Sequence, residues 1–242
     1  MAKNKPISAL IADTKPKNSS GNYARLFGDE DIGGLITKIQ SASIKAGYVL
    51  EEILTQKSTL IPGGDLDKFV EECKKGKHSG IFLCTGKMIR NSQYHVDKHE
   101  PDLIIFSLNN GSGDCHIVEL KVGANFDTKK ADGEKETLEA CRAVLGSKLP
   151  FKTNFYLCSF HAETKEEIVT GLKGRFSENE VMTGRELCKI LNISYAEVIE
   201  DESQFQRDNI IYFTHAVVEN AKQKLYLISE EDFYKNFEES GL

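Results

Sequence analysis

The sequence predicts an α/β fold, a mixed sheet flanked by helices, on three observations. Apolar runs of strand length at Leu103–Leu108, Cys115–Lys121 and Asn154–Phe160 are rich in β-branched and aromatic residues. The Asn-Asn-Gly-Ser-Gly stretch at 109–113 is a turn signal that joins the first two runs into a hairpin. Segments of helical periodicity stand before the hairpin and between it and the third run.

Taken in order, residues 1–30 are rich in Lys, Asn, Ser, Gly and Asp and read as an irregular lead-in. From Asp31 to Leu54 the spacing predicts one continuous helix, with Ile36, Ile39, Ala46, Leu50 and Ile53 in a single stripe. A turn at Ile61-Pro-Gly-Gly breaks the chain, and Asp65–Lys75 forms a short helix. Ile81–Cys84 is a short strand ahead of the hairpin. Gly123–Gly133 is a polar loop, and the helix Glu134–Leu145 packs through Leu138, Cys141, Ala143 and Val144. Beyond the strand Asn154–Phe160, helices are expected at Glu163–Leu172 and Gly184–Leu191. Strands follow at Asn209–Phe213 and Lys224–Leu227, and a last helix at Glu231–Phe237.

Composition bounds the setting. With 242 residues, 40% hydrophobic and 28% charged, the chain fits a single globular domain spanning 1–242. No apolar run is long enough for a bilayer, and residues 1–20 lack an apolar signal core, so the expected address is the cytoplasm. The six cysteines form no CxxC pair and read as buried free thiols. His95 and His99, four apart, have no matching Cys or His pair nearby and read as polar surface. A net charge of −6 weighs against a nucleic-acid surface taken as a whole, although a cleft can be locally basic in an acidic protein.

The chemistry concentrates in the hairpin. Asp102 opens the first strand, and Glu119 and Lys121 close the second. The start of one hairpin strand lies beside the end of its partner, so this spacing brings Asp102 close to Glu119 and Lys121. Glu119 and Lys121, two apart, project from one face, and Leu120 faces the other way. Hard divalent cations prefer carboxylate oxygens. Asp102 and Glu119 would supply two, and the backbone carbonyl of Leu120 a third. A cation held there acidifies water and neutralises phosphodiester charge, and the ammonium of Lys121 orients the water or steadies the phosphate.

The segment PDLIIFSLNNGSGDCHIVELK resembles the PD-(D/E)xK nuclease motif, matched residue by residue at Pro101, Asp102, Glu119 and Lys121. The element order over about 31–160 resembles the restriction-endonuclease-like core of that superfamily. Chain length and the missing helicase or partner domains most resemble a type II restriction endonuclease. The resemblance implies Mg²⁺-dependent, site-specific hydrolysis of double-stranded DNA by a homodimer, with a cognate DNA methyltransferase as genetic partner. It leaves the C-terminal third, 161–242, for DNA readout or dimerisation.

Gln40, Ile44, Gly47 and Glu51 fall in one stripe of the expected long helix. Glu51 resembles the accessory acid that such nucleases place near the metal, beside its other reading as an ordinary boundary glutamate. Gln40 is placed to reach a phosphate or a water. Lys129 and Lys130, in the loop after the hairpin, are candidate DNA contacts beside the reading of a solvated loop. Two alternatives stay open: a repair nuclease or junction resolvase with the same core, and a non-catalytic DNA-binding module. Walker A, GxGxxG, GxSxG and HExxH are all absent, which weighs against a small-molecule enzyme.

Overall fold

The computed structural model describes residues 21–110, 112–123 and 128–224. The side chains of 21–22, 41–46, 128–129 and 223–224 lie outside the description. The described residues of 50–199 form one compact unit and carry the whole sheet; those of 21–49 with 200–224 form another. Among the described residues no helix is long and apolar enough to cross a membrane.

The first helices belong to the second-named unit. α1 (Gly21–Phe27) replaces part of the expected irregular lead-in, and α2 runs Glu30–Ala46. The Asp29 carboxylate accepts the amides of Asp31 and Ile32 at 2.9 and 3.0 Å, which starts α2. A Cβ on Gly33 would fall 2.3 Å from the Ala24 nitrogen, so the glycine permits the close approach of α1 and α2.

The single helix expected over Asp31–Leu54 is two helices. The chain turns at Gly47-Tyr48, and α3 resumes over Val49–Lys57. Glycine costs about 1 kcal/mol relative to alanine inside a helix, and here that cost is avoided by a turn. The stripe Gln40, Ile44, Gly47 and Glu51 therefore does not exist as one face.

In the larger unit, α4 (Leu66–Lys74) starts where the Asp65 carboxylate accepts the Lys68 amide at 2.9 Å. Strands follow at β1 (Gly80–Thr85), β2 (Leu103–Asn109) and β3 (Ser112–Lys121), with α5 (Gly86–Arg90) after β1. Asn109 pairs with Ser112, and Asn110 has φ +49, the left-handed backbone that a primed hairpin turn requires. α6 (Thr128–Lys148) crosses over to β4 (Lys152–Ser159); α7 (Lys165–Gly171) leads to β5 (Val181–Thr183), α8 (Gly184–Leu191) and α9 (Tyr195–Lys224). The sheet order is β1-β2-β3-β4-β5, with the first two pairings antiparallel and the last two parallel. The fold is thus α/β with a mixed, helix-flanked sheet, as the sequence predicts.

Alternation sorts the sheet's two faces. Cys84, Ile104, Phe106, Cys115, Ile117, Phe155 and Leu157 pack with Phe69 of α4 and Leu138, Cys141 and Leu145 of α6. The Phe106 ring lies 5.2 Å from Phe69 and 5.5 Å from Phe151. Leu83, Leu103, Ile105, Val118 and Cys158 are buried on the opposite face, where α8 packs against β1, β4 and β5. All six cysteines are buried free thiols.

Three further expectations are corrected. Residues 128–133, expected in a loop, are helical, so Lys129 and Lys130 stand on α6. Ala143 is exposed, and Leu145 takes its place in the core. The strand expected at Asn209–Phe213 is helical, within α9: the β-favouring Asn-Ile-Ile-Tyr-Phe run is overridden by a helix that continues on both sides. β5 is three residues long, too short for periodicity to reveal. The expectations over 225–242, including the helix Glu231–Phe237, lie outside the described residues.

Candidate active site

The site is built by the register of the β2–β3 hairpin. Leu103 stands opposite Val118, so one further step sets Asp102 opposite Glu119. Alternation puts Asp102 on the face of Ile104 and Phe106, and Glu119 and Lys121 on the face of Cys115 and Ile117, toward α6. A register slip of one residue would send Glu119 and Lys121 to the other face.

Three bonds fix the geometry. The Leu120 amide donates to Asp102 Oδ2 at 2.7 Å. Lys121 Nζ donates to Glu119 Oε1 at 2.6 Å and pairs with Glu134 Oε1 at 2.7 Å. The strand end is itself held, because the Phe160 amide donates to the Lys121 carbonyl at 2.8 Å and Ser159 Oγ donates to the Gly123 carbonyl at 3.1 Å. Upstream, His99 is not helical; its Nδ1 contacts Thr137 Oγ1 at 3.2 Å and ties the approach to Asp102 onto α6. Arg90 clasps Glu100 with Nε and Nη2 at 2.8 and 2.6 Å.

Burial governs the electrostatics. Glu119 is 7% exposed. Its carboxyl is pushed up to about 8, by burial first and then by the Asp102 charge, against the pull of Lys121. Asp102 is also raised by burial, opposed by the Leu120 amide and by the Lys121 charge. Burial works against the Lys121 charge, yet Glu119 and Glu134 together raise it. Glu51, half-buried on α3, is raised to about 7 by burial and then by Asp102, Glu52 and Glu100.

The sequence-derived residues thus fall into three groups. Asp102, Glu119, Lys121 and the Leu120 backbone come together, and Glu51 is near enough to feel the Asp102 charge. Lys130 is exposed on α6, and the Lys129 side chain lies outside the described residues. Gln40 is exposed on α2 and donates to the Tyr23 hydroxyl, within the other unit.

Glu134 is the residue that sequence reasoning missed. Its signal was legible: Ala131, Glu134, Leu138, Cys141 and Leu145 follow the helical stripe of α6, and four of the five are buried apolar residues. A carboxylate in that stripe faces the sheet and needs a partner, which is Lys121.

Among the described residues no three His, Cys, Asp or Glu side chains stand in a metal-holding cluster. The donor set at the hairpin nonetheless suits a divalent cation. Asp102 and Glu119, set opposite each other by the hairpin register and both shielded enough to resist ionisation, are hard oxygens that a cation would take in place of a proton.

No family model and no solved structure matches the chain. Among curated proteins, the type II restriction enzyme HhaII of Haemophilus parahaemolyticus is 37% identical over 201 residues, covering 81% of this chain and 87% of that protein. Type II restriction enzymes generally use divalent metal ions, in keeping with this donor set. By that relationship the chain belongs to the type II restriction enzymes, the site-specific deoxyribonucleases.

Proposed function

We propose that the chain cuts double-stranded DNA at a short recognition sequence by Mg²⁺-dependent PD-(D/E)xK chemistry centred on Asp102, Glu119 and Lys121. The observation that carries the reading is the convergence of the buried Glu119 carboxyl, the half-buried Asp102 carboxyl and one ammonium at the open end of the hairpin.

Asp102 and Glu119 would hold Mg²⁺, with the Leu120 carbonyl as a third oxygen. Bound there, the ion would supply Lewis-acid chemistry, acidifying water and offsetting phosphodiester charge. The Leu120 amide orients Asp102. Lys121 presents a charged ammonium to the attacking water or a phosphate oxygen. Glu51, raised to about 7, is divided between its two protonation states near neutrality and can take up or release a proton.

Lys129, Lys130 and Gln40 are the proposed DNA contacts, and 161–242 would serve readout or dimerisation within one nuclease domain. The homodimer draws support from α9, whose Ile210 and Ile211 are 69% and 60% exposed. The enzyme would act in the cytoplasm beside a cognate DNA methyltransferase.

The test incubates the protein with Mg²⁺ and a long plasmid. Discrete, reproducible fragments are expected, and Asp102→Ala and Lys121→Ala should lose cleavage while retaining DNA binding in Ca²⁺. Smearing or structure-dependent cutting would favour a repair nuclease or resolvase, and cleavage surviving both substitutions would refute the site.

A further inference from the structure

We propose that Glu134 is the positioning residue for Lys121, holding its ammonium at the end of β3 when Glu119 turns to a cation. The inference rests on the nuclease reading above, since it assumes that Lys121 acts on the scissile phosphate or the attacking water.

The lysine side chain is a flexible four-carbon stem ending in a point charge, so its placement must come from its surroundings. Two carboxylates hold it, and they come from different elements. Glu119 is its neighbour two residues back on β3, and Glu134 reaches it from α6 across the chain reversal. The two distances are nearly equal, 2.6 and 2.7 Å. The Lys121 and Glu134 side chains are only 19% and 18% exposed, so their pairing is shielded from solvent.

The two partners are not equivalent in function. Glu119 lies against Asp102 and belongs to the oxygen pair suited to a cation. An oxygen engaged by a divalent ion has less charge to offer Lys121, and the ion repels the ammonium. With Glu119 alone, Lys121 would swing outward at the moment it is needed. Glu134 comes to Nζ from α6 rather than from β3, and it is not a member of the Asp102–Glu119 pair that the hairpin register sets opposite each other. Its position supports a dedicated role, because an acid in the core stripe of α6, next to buried Ala131 and Leu138, is costly unless something requires it there.

The experiment compares wild type, Glu134→Ala, Glu134→Gln, Lys121→Ala and the Lys121→Ala/Glu134→Ala double variant. Single-turnover cleavage in Mg²⁺, DNA binding in Ca²⁺ and metal-free melting are read for each. In the metal-free protein, acylation of Lys121 by an amine-reactive reagent is followed by peptide mass spectrometry. Glu134→Ala should cleave about 10–100-fold more slowly with DNA binding intact. Glu134→Gln, which keeps an acceptor, should recover part of that loss. Lys121 should be acylated several-fold faster without Glu134, and the double variant should be no slower than Lys121→Ala alone.

Wild-type cleavage in Glu134→Ala, with Lys121→Ala inactive, overturns the positioning role and leaves the nuclease reading standing. An equal further loss in the double variant also overturns it, because Glu134 would then act without Lys121. Parallel losses of melting temperature and DNA binding would assign Glu134 to structure alone and overturn it likewise. Cleavage unaffected by Lys121→Ala removes the nuclease reading itself. Should Glu134→Ala fail to fold, the isosteric Glu134→Gln carries the acylation and cleavage comparisons.

Discussion

Glu51→Gln should stabilise the metal-free protein while slowing cleavage, and the stabilisation should depend on pH. The Glu51 carboxyl moves from 4.5 to about 7 because burial and the charges of Asp102, Glu52 and Glu100 oppose its ionisation. At 1.36 kcal/mol per unit the shift is worth ~3.4 kcal/mol. Glu51 is only half-buried, so solvent screening reduces this to about 1.5 kcal/mol. An acid whose pKa is raised by folding stabilises below its unfolded value, and that stability disappears as pH climbs through the folded value. Wild type therefore loses about 1.5 kcal/mol between pH 4.5 and 8 that the glutamine variant keeps. At roughly 2–4 °C per kcal/mol for a chain of this size, the variant should melt about 3–6 °C above wild type at pH 8. The difference should vanish near pH 4.5. Scanning calorimetry or fluorescence melting across that range in chelator reads it. A difference that does not change with pH, or a variant that melts lower at pH 8, would show that Glu51 does not face the carboxylate cluster.

Ca²⁺ should raise the melting temperature, and by more at pH 8 than at pH 6, because at pH 6 protons on Glu119 and Glu51 compete with the cation. At a hundred times its dissociation constant the ion would add about 2.7 kcal/mol, and a shift that is flat or falls over this range counts against Glu119 as a ligand and against Glu51 as its neighbour. Gly184→Ala should destabilise by about 1–3 kcal/mol or more, since its Cβ would meet the Phe160 carbonyl oxygen at 2.2 Å and that ring at 2.8 and 2.9 Å. An unchanged denaturant midpoint would show that α8 can move away freely. Leu138→Ala, one turn from Glu134 and fully buried, should cost about 2–5 kcal/mol; a loss below about 1 kcal/mol in urea unfolding would mean that α6 is not anchored through this stripe.

What the sequence revealed of the site is what one hairpin can encode. Asp102, Glu119 and Lys121 lie on two strands joined by a short turn, so alternation and register sufficed to bring them together. Glu51 was reached through a stripe on a continuous helix that does not exist: the chain turns at Gly47, and α3 brings Glu51 near Asp102 by its own packing. Glu134 escaped because α6 was read as starting at that residue rather than at Thr128, which hid the stripe it shares with Ala131. The strand expected at Asn209–Phe213 fails for the opposite reason, because the segment is helical. Ile210 and Ile211 suggest a buried strand, yet both are exposed on α9, and their apolar character is surface rather than core.

The acidic balance of the chain also takes on a different meaning at the site. A net charge of −6 argues against a surface built to attract phosphates. Around Lys121, the carboxylates of Asp102, Glu119 and Glu134, with Glu51 close by, outnumber the ammonium. Two unit charges 4 Å apart interact by about 4 kcal/mol at an effective dielectric of 20, so a phosphate entering that cluster alone would be repelled. A divalent cation reverses the sign. On the proposed mechanism, Asp102 and Glu119, which oppose DNA when bare, would hold the ion that accepts a phosphate oxygen. Acidity at the centre is therefore what metal-assisted phosphodiester chemistry requires, and under the proposed function the basic contribution would come from residues around it, for which exposed Lys130 on α6 is the proposed contact.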